Sequence, residues 1–499
     1  MQQGTSFREP LFLLFFSAVL VMLFSTCSPL YPYNPWGDAN VFMTIGKNML
    51  HGMMPYRDLF DLKGLLLFLL HEWAACLSPH SFHAIYIVQV FCFWGFMTYS
   101  LRTARLFCDT GIVLPFVCLA GLLTVSSDFY SYGDSVEEFS LPLLAHALYH
   151  FLCYVRDGKA PSRRAGIFIG MGAGIILWMK YSILTFYLGA LAGILILAYR
   201  RGELSVVGRT AVWTLCGLLT VSVPVLAYAL HHGIFADFLH VYFYSNVFEY
   251  HGVSTRDDMS WQEKTFPLVG YAITLAAIAF SRVRKDVRFF VFCTFAGTAS
   301  VLAFFKIPVC NVYYYLVLAV FLPLLIKLAR GWRVSRKSRA VLAAAALTAT
   351  LMNYNLMRLA AGNFRPGILE VAEIVNASGC GRSDVLLYRC GDKGLFVLTD
   401  KMPAVKHFFS VGVAHIPDEV AEQEACLASR KAHFVLTADK LPESSGYTLI
   451  YEQPDEPERV FLVNPLAYLW HLGYPRCLLR HFMAEPPLQS ILRLYELRQ

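Results

Sequence analysis

Charged residues are scarce in this chain: Asp, Glu, Lys and Arg make up 15% of its 499 residues, against roughly 25% in an ordinary soluble protein. Hydrophobic residues make up 57%, and the mean hydropathy is +0.50. These values exclude an ordinary soluble domain. They predict a polytopic α-helical membrane protein that contacts the lipid bilayer.

Several features of other protein classes are missing as well. No two of the 13 cysteines have C-x-x-C spacing, and the histidines of the segment 231–251 match no zinc motif, so a zinc site has no support. The cations lie in short clusters between apolar runs, so the net charge of +7 does not indicate nucleic-acid binding. The sequence shows no internal repeat of the kind that transporters commonly contain.

Apolar runs of spanning length occur throughout the first 358 residues. The predicted spans are 11–27, 84–101, 111–127, 137–154, 165–180, 182–199, 210–230, 265–281, 289–305, 311–328 and 340–357. Residues 63–77 are short for a span and contain His71 and Glu72. If they do not cross, Arg8 and all the Arg/Lys-rich connectors face the cytoplasm, as the positive-inside rule requires. We therefore predict about 11 spans, with 63–77 interfacial or re-entrant.

Two further units follow from this topology. Residues 28–83 become a first extracytoplasmic loop with interfacial helices, within a membrane domain that covers 1–358. After residue 358 the hydropathy falls, and helix-like and strand-like segments alternate. This pattern predicts a small extracytoplasmic α/β domain over 359–499.

The first outer loop gathers ionisable residues beside the membrane, where they usually mark function. They include Asp38, Arg57, Asp58, Asp61 and Lys63. Apolar residues at helical spacing from Asp38 to His51 predict a helix lying flat at the interface. Asp38 and Asp61 each come just before an apolar helix, so capping of backbone N–H groups is the structural alternative to catalysis.

The order of motifs in this loop resembles that of the bacterial GT-C glycosyltransferases. Trp36-Gly37-Asp38 follows the first span, and PYRDLFDLKG at 55–64 precedes an apolar helix. Further similarity lies in GDSVEEF at 133–139, Lys180-Tyr181-Ser182 and Tyr313-Tyr314-Tyr315. The family includes the aminoarabinose transferase of lipid A and the protein O-mannosyltransferases. Leu65 departs from the pattern, since many relatives have a proline there.

The resemblance implies a transferase in the bacterial cytoplasmic (inner) membrane whose active site faces the periplasm or cell exterior. Its donor would be a polyprenyl-phosphate sugar and its acceptor a cell-envelope lipid, polysaccharide or protein. A first-loop aspartate activates the acceptor in that family, which implies Asp38 as the base, with Asp61 in support. A cation must stabilise the leaving phosphate, and Lys63 is our first choice.

Further candidates accompany these three residues. The other candidate ligands of the donor phosphate are Arg57, Lys180 and Lys306, and the candidate substrate-binding residues are Asp58, Glu137, Glu138, Tyr313 and Tyr314. The alternative for Lys306 is a lysine that snorkels at a span end. The alternative for Glu137 and Glu138 is a solvated loop edge before a helix. No metal ligand is assigned, and assistance by a divalent cation is left open.

Two other classes of function stay open on sequence grounds. A transporter or flippase of lipid-linked sugars would also be polytopic, but its charges would lie at mid-span. A non-enzymatic membrane scaffold could use the C-terminal domain as a binding module, but it would have no need of the first-loop carboxylates.

Overall fold

The structure is a computed structural model that describes most of the chain. It covers residues 8–249, 284–304, 312–327, 335–351, 353, 355–356, 359, 367–381, 385–410, 417–453 and 492–498. Lys306 and the predicted span 265–281 lie outside these residues.

Helices form nearly all of the described part of the first 351 residues. They are α1 (Arg8–Phe24), α2 (Gly37–Met49), α3 (Leu65–Leu77), α4 (His83–Arg105), α5 (Val113–Ser126), α6 (Val136–Asp157), α7 (Arg163–Lys180), α8 (Thr185–Arg201), α9 (Leu204–His231), α10 (Phe235–Leu239), α11 (Lys285–Phe304) and α12 (Arg336–Leu351). A 3-10 turn (Tyr181–Leu184) joins α7 to α8, a π-helix (His240–Glu249) follows α10, and a 3-10 helix (Val312–Lys327) follows α11.

Among the described residues, three stretches are long and apolar enough to cross a bilayer: α4, the continuous run Arg163–Arg201, and α9. The predicted spans other than 265–281 all overlap a described helix. Helix α3 has 13 residues, and at 1.5 Å per residue it is about 20 Å long, short of a hydrocarbon core of about 30 Å. The total of 11 spans stays a prediction.

The backbones of α7 and α9 lie in direct contact where the helices cross, because glycines line the contact. A Cβ atom on Gly170 would lie 1.8 Å from the carbonyl oxygen of Thr214, and one on Gly217 would lie 1.9 Å from that of Ile167. Gly166 and Gly174 extend the same face of α7, one turn before and one turn after Gly170. This small-x-x-x-small pattern is a common way for membrane helices to approach closely.

Helix α2 forms where the apolar spacing predicts it, but its surroundings differ from the expectation. All residues from Ala39 to Met49 are buried, whereas a helix lying flat at the interface would expose its polar side. At Gly46 the helix touches α3 so closely that a Cβ atom would lie 2.4 Å from the backbone of His71 and Glu72. The polar side of α2 faces other parts of the protein instead of water.

The described residues from 367 onward form helices and a mixed sheet. The helices are α13 (Gly367–Ala377), α14 (Leu395–Leu398) and α15 (Pro417–Ala428), and the strands are β1 (Val385–Tyr388), β2 (Phe434–Thr437), β3 (Tyr447–Glu452) and β4 (Arg493–Leu497). The strand order is β1-β2-β4-β3, with β1 and β2 parallel and the other pairs antiparallel. The boundaries predicted for this domain stay a prediction.

The polar side of α2 holds α14 of this C-terminal part at both ends. Thr44 donates a hydrogen bond to Asp392 Oδ2 at 2.7 Å, and the other oxygen of Asp392 accepts from the N–H of Gly394. One turn further along α2, buried Lys47 donates to the carbonyl oxygen of Thr399 at 2.6 Å. Cationic side chains can satisfy the free carbonyl groups at a helix end in this way. The contact therefore fixes the C-terminal part against the helix that carries Asp38.

The glycine contact between α7 and α9 can be tested with two substitutions on α9. Gly217→Ala should lower the thermal unfolding midpoint of the purified protein, since overpacking typically costs about 1–3 kcal/mol. Gly208→Ala is the matched control, because a Cβ atom there meets nothing within 4 Å. Equal midpoints for the two variants would contradict this account of the crossing.

Candidate functional site

Asp38 lies in the first turn of α2 with its carboxylate partly open to solvent. Its side chain is 39% exposed. Tyr313 donates a hydrogen bond to Asp38 Oδ2 at 3.0 Å, and Lys63 Nζ lies 3.9 Å from the same oxygen. Residue Trp36 at the start of α2 packs edge-on against the ring of Tyr313, with centroids 5.2 Å apart. A carboxylate in this setting can accept a proton from a molecule that arrives from solvent.

Hydrogen bonds of the backbone at Lys63 and Gly64 fix the position of Lys63. The N–H of Gly64 donates to the carbonyl oxygen of Met179 at 3.0 Å, and the hydroxyl of Tyr56 donates to the carbonyl oxygen of Lys63 at 2.8 Å. A Cβ atom on Gly64 would lie only 2.0 Å from the carbonyl oxygen of Trp178. Glycine is therefore required at position 64, and the end of α7 sets the place of Lys63.

Asp61 stands beside Lys63 in a different environment from Asp38. It is 5% exposed; Oδ1 accepts from the N–H of Leu62 at 2.6 Å, and Oδ2 is buried with no hydrogen-bond partner among the described residues. Burial raises the pKa of Asp61 to about 6, although Lys63 opposes the shift. Burial would lower the pKa of Lys63, but the charges of Asp61 and Asp38 outweigh it, and that pKa is raised. Lys63 therefore stays cationic.

A second cation reaches the same place from α7. Lys180 Nζ lies 2.5 Å from Glu137 Oε1, and that carboxylate is almost fully buried. Lys180 also stands over the ring of Tyr314, 3.7 Å from its centroid. Tyr314 packs against Tyr313, whose hydroxyl binds Asp38. The tyrosine pair thus connects Asp38 to the ion pair of Lys180 and Glu137.

The remaining predicted residues make other contacts. Arg57 pairs with Asp58 at 2.8 Å on the surface, and the guanidinium holds the pKa of Asp58 below its usual range. Glu138 is buried, and its two oxygens accept from Tyr130, Gln89 and the N–H of Asp134. These three bonds hold together the segment 127–135 between α5 and α6 and the start of α6. The substrate-binding role of Glu138 stays a prediction. Lys306 lies outside the described residues.

A buried acid–base pair next to this network was not anticipated from the sequence. His71 Nε2 lies 3.1 Å from Asp134 Oδ1, and both side chains are fully buried. Burial raises the pKa of Asp134, and His71 opposes the shift. The other ring nitrogen of His71 donates to the carbonyl oxygen of Leu67 at 2.8 Å. The pair ties α3 to the segment 127–135 between α5 and α6.

The site offers no set of donors for a metal ion within the described ranges. No group of three or more His, Cys, Asp or Glu side chains lies close enough together there to hold one. Asp38 and Asp61 have Lys63 beside them.

Comparison with known proteins supports the fold. No sequence family matches the chain, and no curated protein matches it by sequence. Among solved structures, it is similar to ArnT from Cupriavidus metallidurans bound to undecaprenyl phosphate, with a TM-score of 0.56 and 12% sequence identity over 98% of this chain and 98% of that chain. The likeness shows an ArnT-like, mostly helical fold, in agreement with the resemblance that the first-loop motifs indicate.

Two other similar structures come from Archaeoglobus fulgidus. One is an oligosaccharyltransferase in complex with Zn and sulfate, with a TM-score of 0.42 and 10% identity over 85% of this chain and 67% of that chain. The other is the oligosaccharyltransferase AglB in complex with an inhibitory peptide and a dolichol-phosphate, with a TM-score of 0.45 and 11% identity over 87% and 70% of the two chains.

The burial of Asp61 predicts an unusual dependence of stability on pH. Since the folded-state pKa is about 6 and the unfolded one about 3.9, ionisation opposes folding by about 3 kcal/mol above pH 6. This penalty is absent below about pH 4 and grows as the pH rises towards 6. Asp61→Asn should therefore be stabilised relative to wild type at pH 7 but not at pH 4, as measured by thermal unfolding.

Asp58→Asn is the control, because the carboxylate of Asp58 affects the pH dependence of stability in the opposite direction. Because the pKa of Asp58 is lowered by Arg57, its stabilising effect is present at neutral pH and is lost as the pH falls. The variant should be slightly less stable than wild type at pH 7 and equal to it in acid. The raised pKa of Asp61 would be contradicted if the stability of Asp61→Asn showed the same pH dependence as that of wild type.

Proposed function

We propose that this chain, which shares the GT-C fold, is a membrane glycosyltransferase. It moves a sugar from a polyprenyl-phosphate donor to a cell-envelope acceptor, a lipid, polysaccharide or protein, on the outer face of the bacterial cytoplasmic membrane. The observation that carries the proposal is the partly exposed carboxylate of Asp38. Its Oδ2 lies 3.0 Å from the hydroxyl of Tyr313 and 3.9 Å from Lys63 Nζ. The similar ArnT structure, which holds undecaprenyl phosphate, supports the class of donor.

Asp38 acts as the base in this reaction. As the acceptor oxygen bonds to the anomeric carbon, its proton passes to the Asp38 carboxylate, and the bond between that carbon and the phosphate oxygen breaks. The polyprenyl phosphate leaves with the electron pair. General bases must lie within hydrogen-bond reach of the proton they take, and the 39% exposure of Asp38 leaves room for an acceptor.

Lys63 and Lys180 stabilise the phosphate as it gains charge. Lys63 is fixed by the contact of Gly64 with α7, and Lys180 ends that same helix. Cations positioned before the reaction stabilise developing charge more than mobile ones, because they need no reorganisation. Tyr313 and Tyr314 lie between Lys180 and Asp38, where they position the carboxylate and shield the ion pair of Lys180.

Replacement of Asp38 tests the base directly. Asp38→Asn keeps the shape and one acceptor oxygen but removes the basicity, so transfer should fall by about 10²–10⁴-fold, the usual contribution of general base catalysis. The measurement is mass spectrometry of cell-envelope glycans and lipid-linked sugars from cells that lack the protein, supplemented with wild type or variant. The glycan product should return with wild type and not with Asp38→Asn.

Asp58→Asn is the matched control for that experiment. It changes the same residue type in the same loop, but Asp58 is engaged by Arg57 and by the N–H of Met54. This variant should restore the glycan. Restoration by Asp38→Asn at the wild-type level would remove Asp38 as the base, and an unchanged glycan profile without the protein would overturn the transferase proposal.

The cation that binds the phosphate can be identified separately from the chemistry. Lys63→Ala should weaken binding of undecaprenyl phosphate by about 10–100-fold, since a charge-assisted hydrogen bond contributes about 1.5–3 kcal/mol. Arg57→Ala should change it little, because Arg57 is paired with Asp58. Native mass spectrometry of the purified protein with added lipid measures both. Equal losses for the two variants would assign the phosphate to both cations.

A further inference from the structure

A cavity lies at the outer face, on the side of α2 away from Asp38. Asn40, two positions after Asp38 and so on the opposite side of the helix, lines it together with Tyr31 and Asn34. The turn 80–83 and helix α14 complete its wall. Its volume of about 280 Å³ is close to the lower bound of about 300 Å³ for small-molecule sites.

The walls of this cavity are held in place by the contacts between α2 and α14. Thr44 and Asp392 join at 2.7 Å, and Lys47 binds the carbonyl oxygen of Thr399 at 2.6 Å. Asn40 donates to the carbonyl oxygen of Asn34, while its Oδ1 is buried with no hydrogen-bond partner among the described residues. A preformed polar cavity of this kind binds a ligand without a large ordering cost.

The residues that line the cavity indicate the charge of its ligand. Among the described residues they include tyrosines, prolines, asparagines and two histidines, but no Asp, Glu, Lys or Arg. Two charged groups, Lys47 and Asp400, flank His80 and lie 3.7 Å from each other. Phosphate, carboxylate and ammonium ligands form their strongest hydrogen bonds with side chains of opposite charge. Flat aromatic faces beside amide and imidazole groups suit a neutral ring that carries hydroxyl groups.

A short path connects this cavity to the carboxylate of the site. Tyr33 and Asn34 line the cavity, and Trp36, two residues further along, packs against Tyr313, which binds Asp38. We propose that the cavity binds a neutral sugar unit of the acceptor glycan, at a distance from the unit that receives the transferred sugar. The assignment of this sugar to the acceptor rests on the proposed function, whereas the binding of a neutral sugar does not.

Saturation-transfer NMR on the full chain in nanodiscs tests the binding. The probes are glucose, galactose and N-acetylglucosamine, with glucuronate and glucosamine as charged comparisons. Ser81→Trp fills the cavity from its rim, and His51→Trp places the same bulk on an exposed position elsewhere in the loop. At least one neutral sugar should give a signal with wild type and His51→Trp that falls at least fivefold with Ser81→Trp.

Three results would overturn the proposal: equal signals with Ser81→Trp and wild type, no signal from any neutral sugar, or stronger binding of the charged sugars. If Ser81→Trp does not fold, His83→Ala, which removes an exposed imidazole from the lining, decides by the same signals. Sugar binding in a chain that performs no transfer would overturn the acceptor role together with the proposed function, and would leave the sugar site standing.

Discussion

The candidate site depends on one close backbone contact, between the segment after Lys63 and the end of α7. A Cβ atom on Gly64 would lie 2.0 Å from the carbonyl oxygen of Trp178, and the N–H of Gly64 binds the carbonyl oxygen of Met179. Lys180 follows directly in the chain. Two cations from segments more than a hundred residues apart are thus placed together by backbone atoms, which hold position better than flexible lysine side chains alone.

The C-terminal part reaches the same site through α2. Lys47 is buried, and a buried ammonium group is stable only when hydrogen bonds replace its water. It finds carbonyl oxygens at the end of α14, including that of Thr399 at 2.6 Å. Asp38 starts the helix that Lys47 nearly ends, so one helix carries both the carboxylate and the contact with the C-terminal part. The proposed sugar cavity lies beside this same contact.

Local patterns in the sequence predicted the helices well and their partners poorly. The spacing of apolar residues located α2 and the short α3, and the charges of the first loop pointed to Asp38 and Lys63. The same amphipathic pattern in α2 fits a membrane surface or a protein partner, and only the contacts with Asp392 and Thr399 decide between them. Tyr313 binds Asp38 across 275 residues of chain, and no periodicity encodes such a pairing.

The carboxylates of Asp38 and Asp61 have different environments, and this difference gives them different roles in the proposed reaction. Asp38 is 39% exposed and receives a hydrogen bond from Tyr313, so an acceptor can reach its carboxylate. Asp61 is 5% exposed, so its carboxylate is out of reach of a molecule from solvent. Its negative charge instead compensates Lys63 before the donor arrives. When the donor phosphate brings its own negative charge to Lys63, the electrostatic reason for Asp61 to stay ionised weakens, and protonation of Asp61 would relieve the repulsion between the two anions.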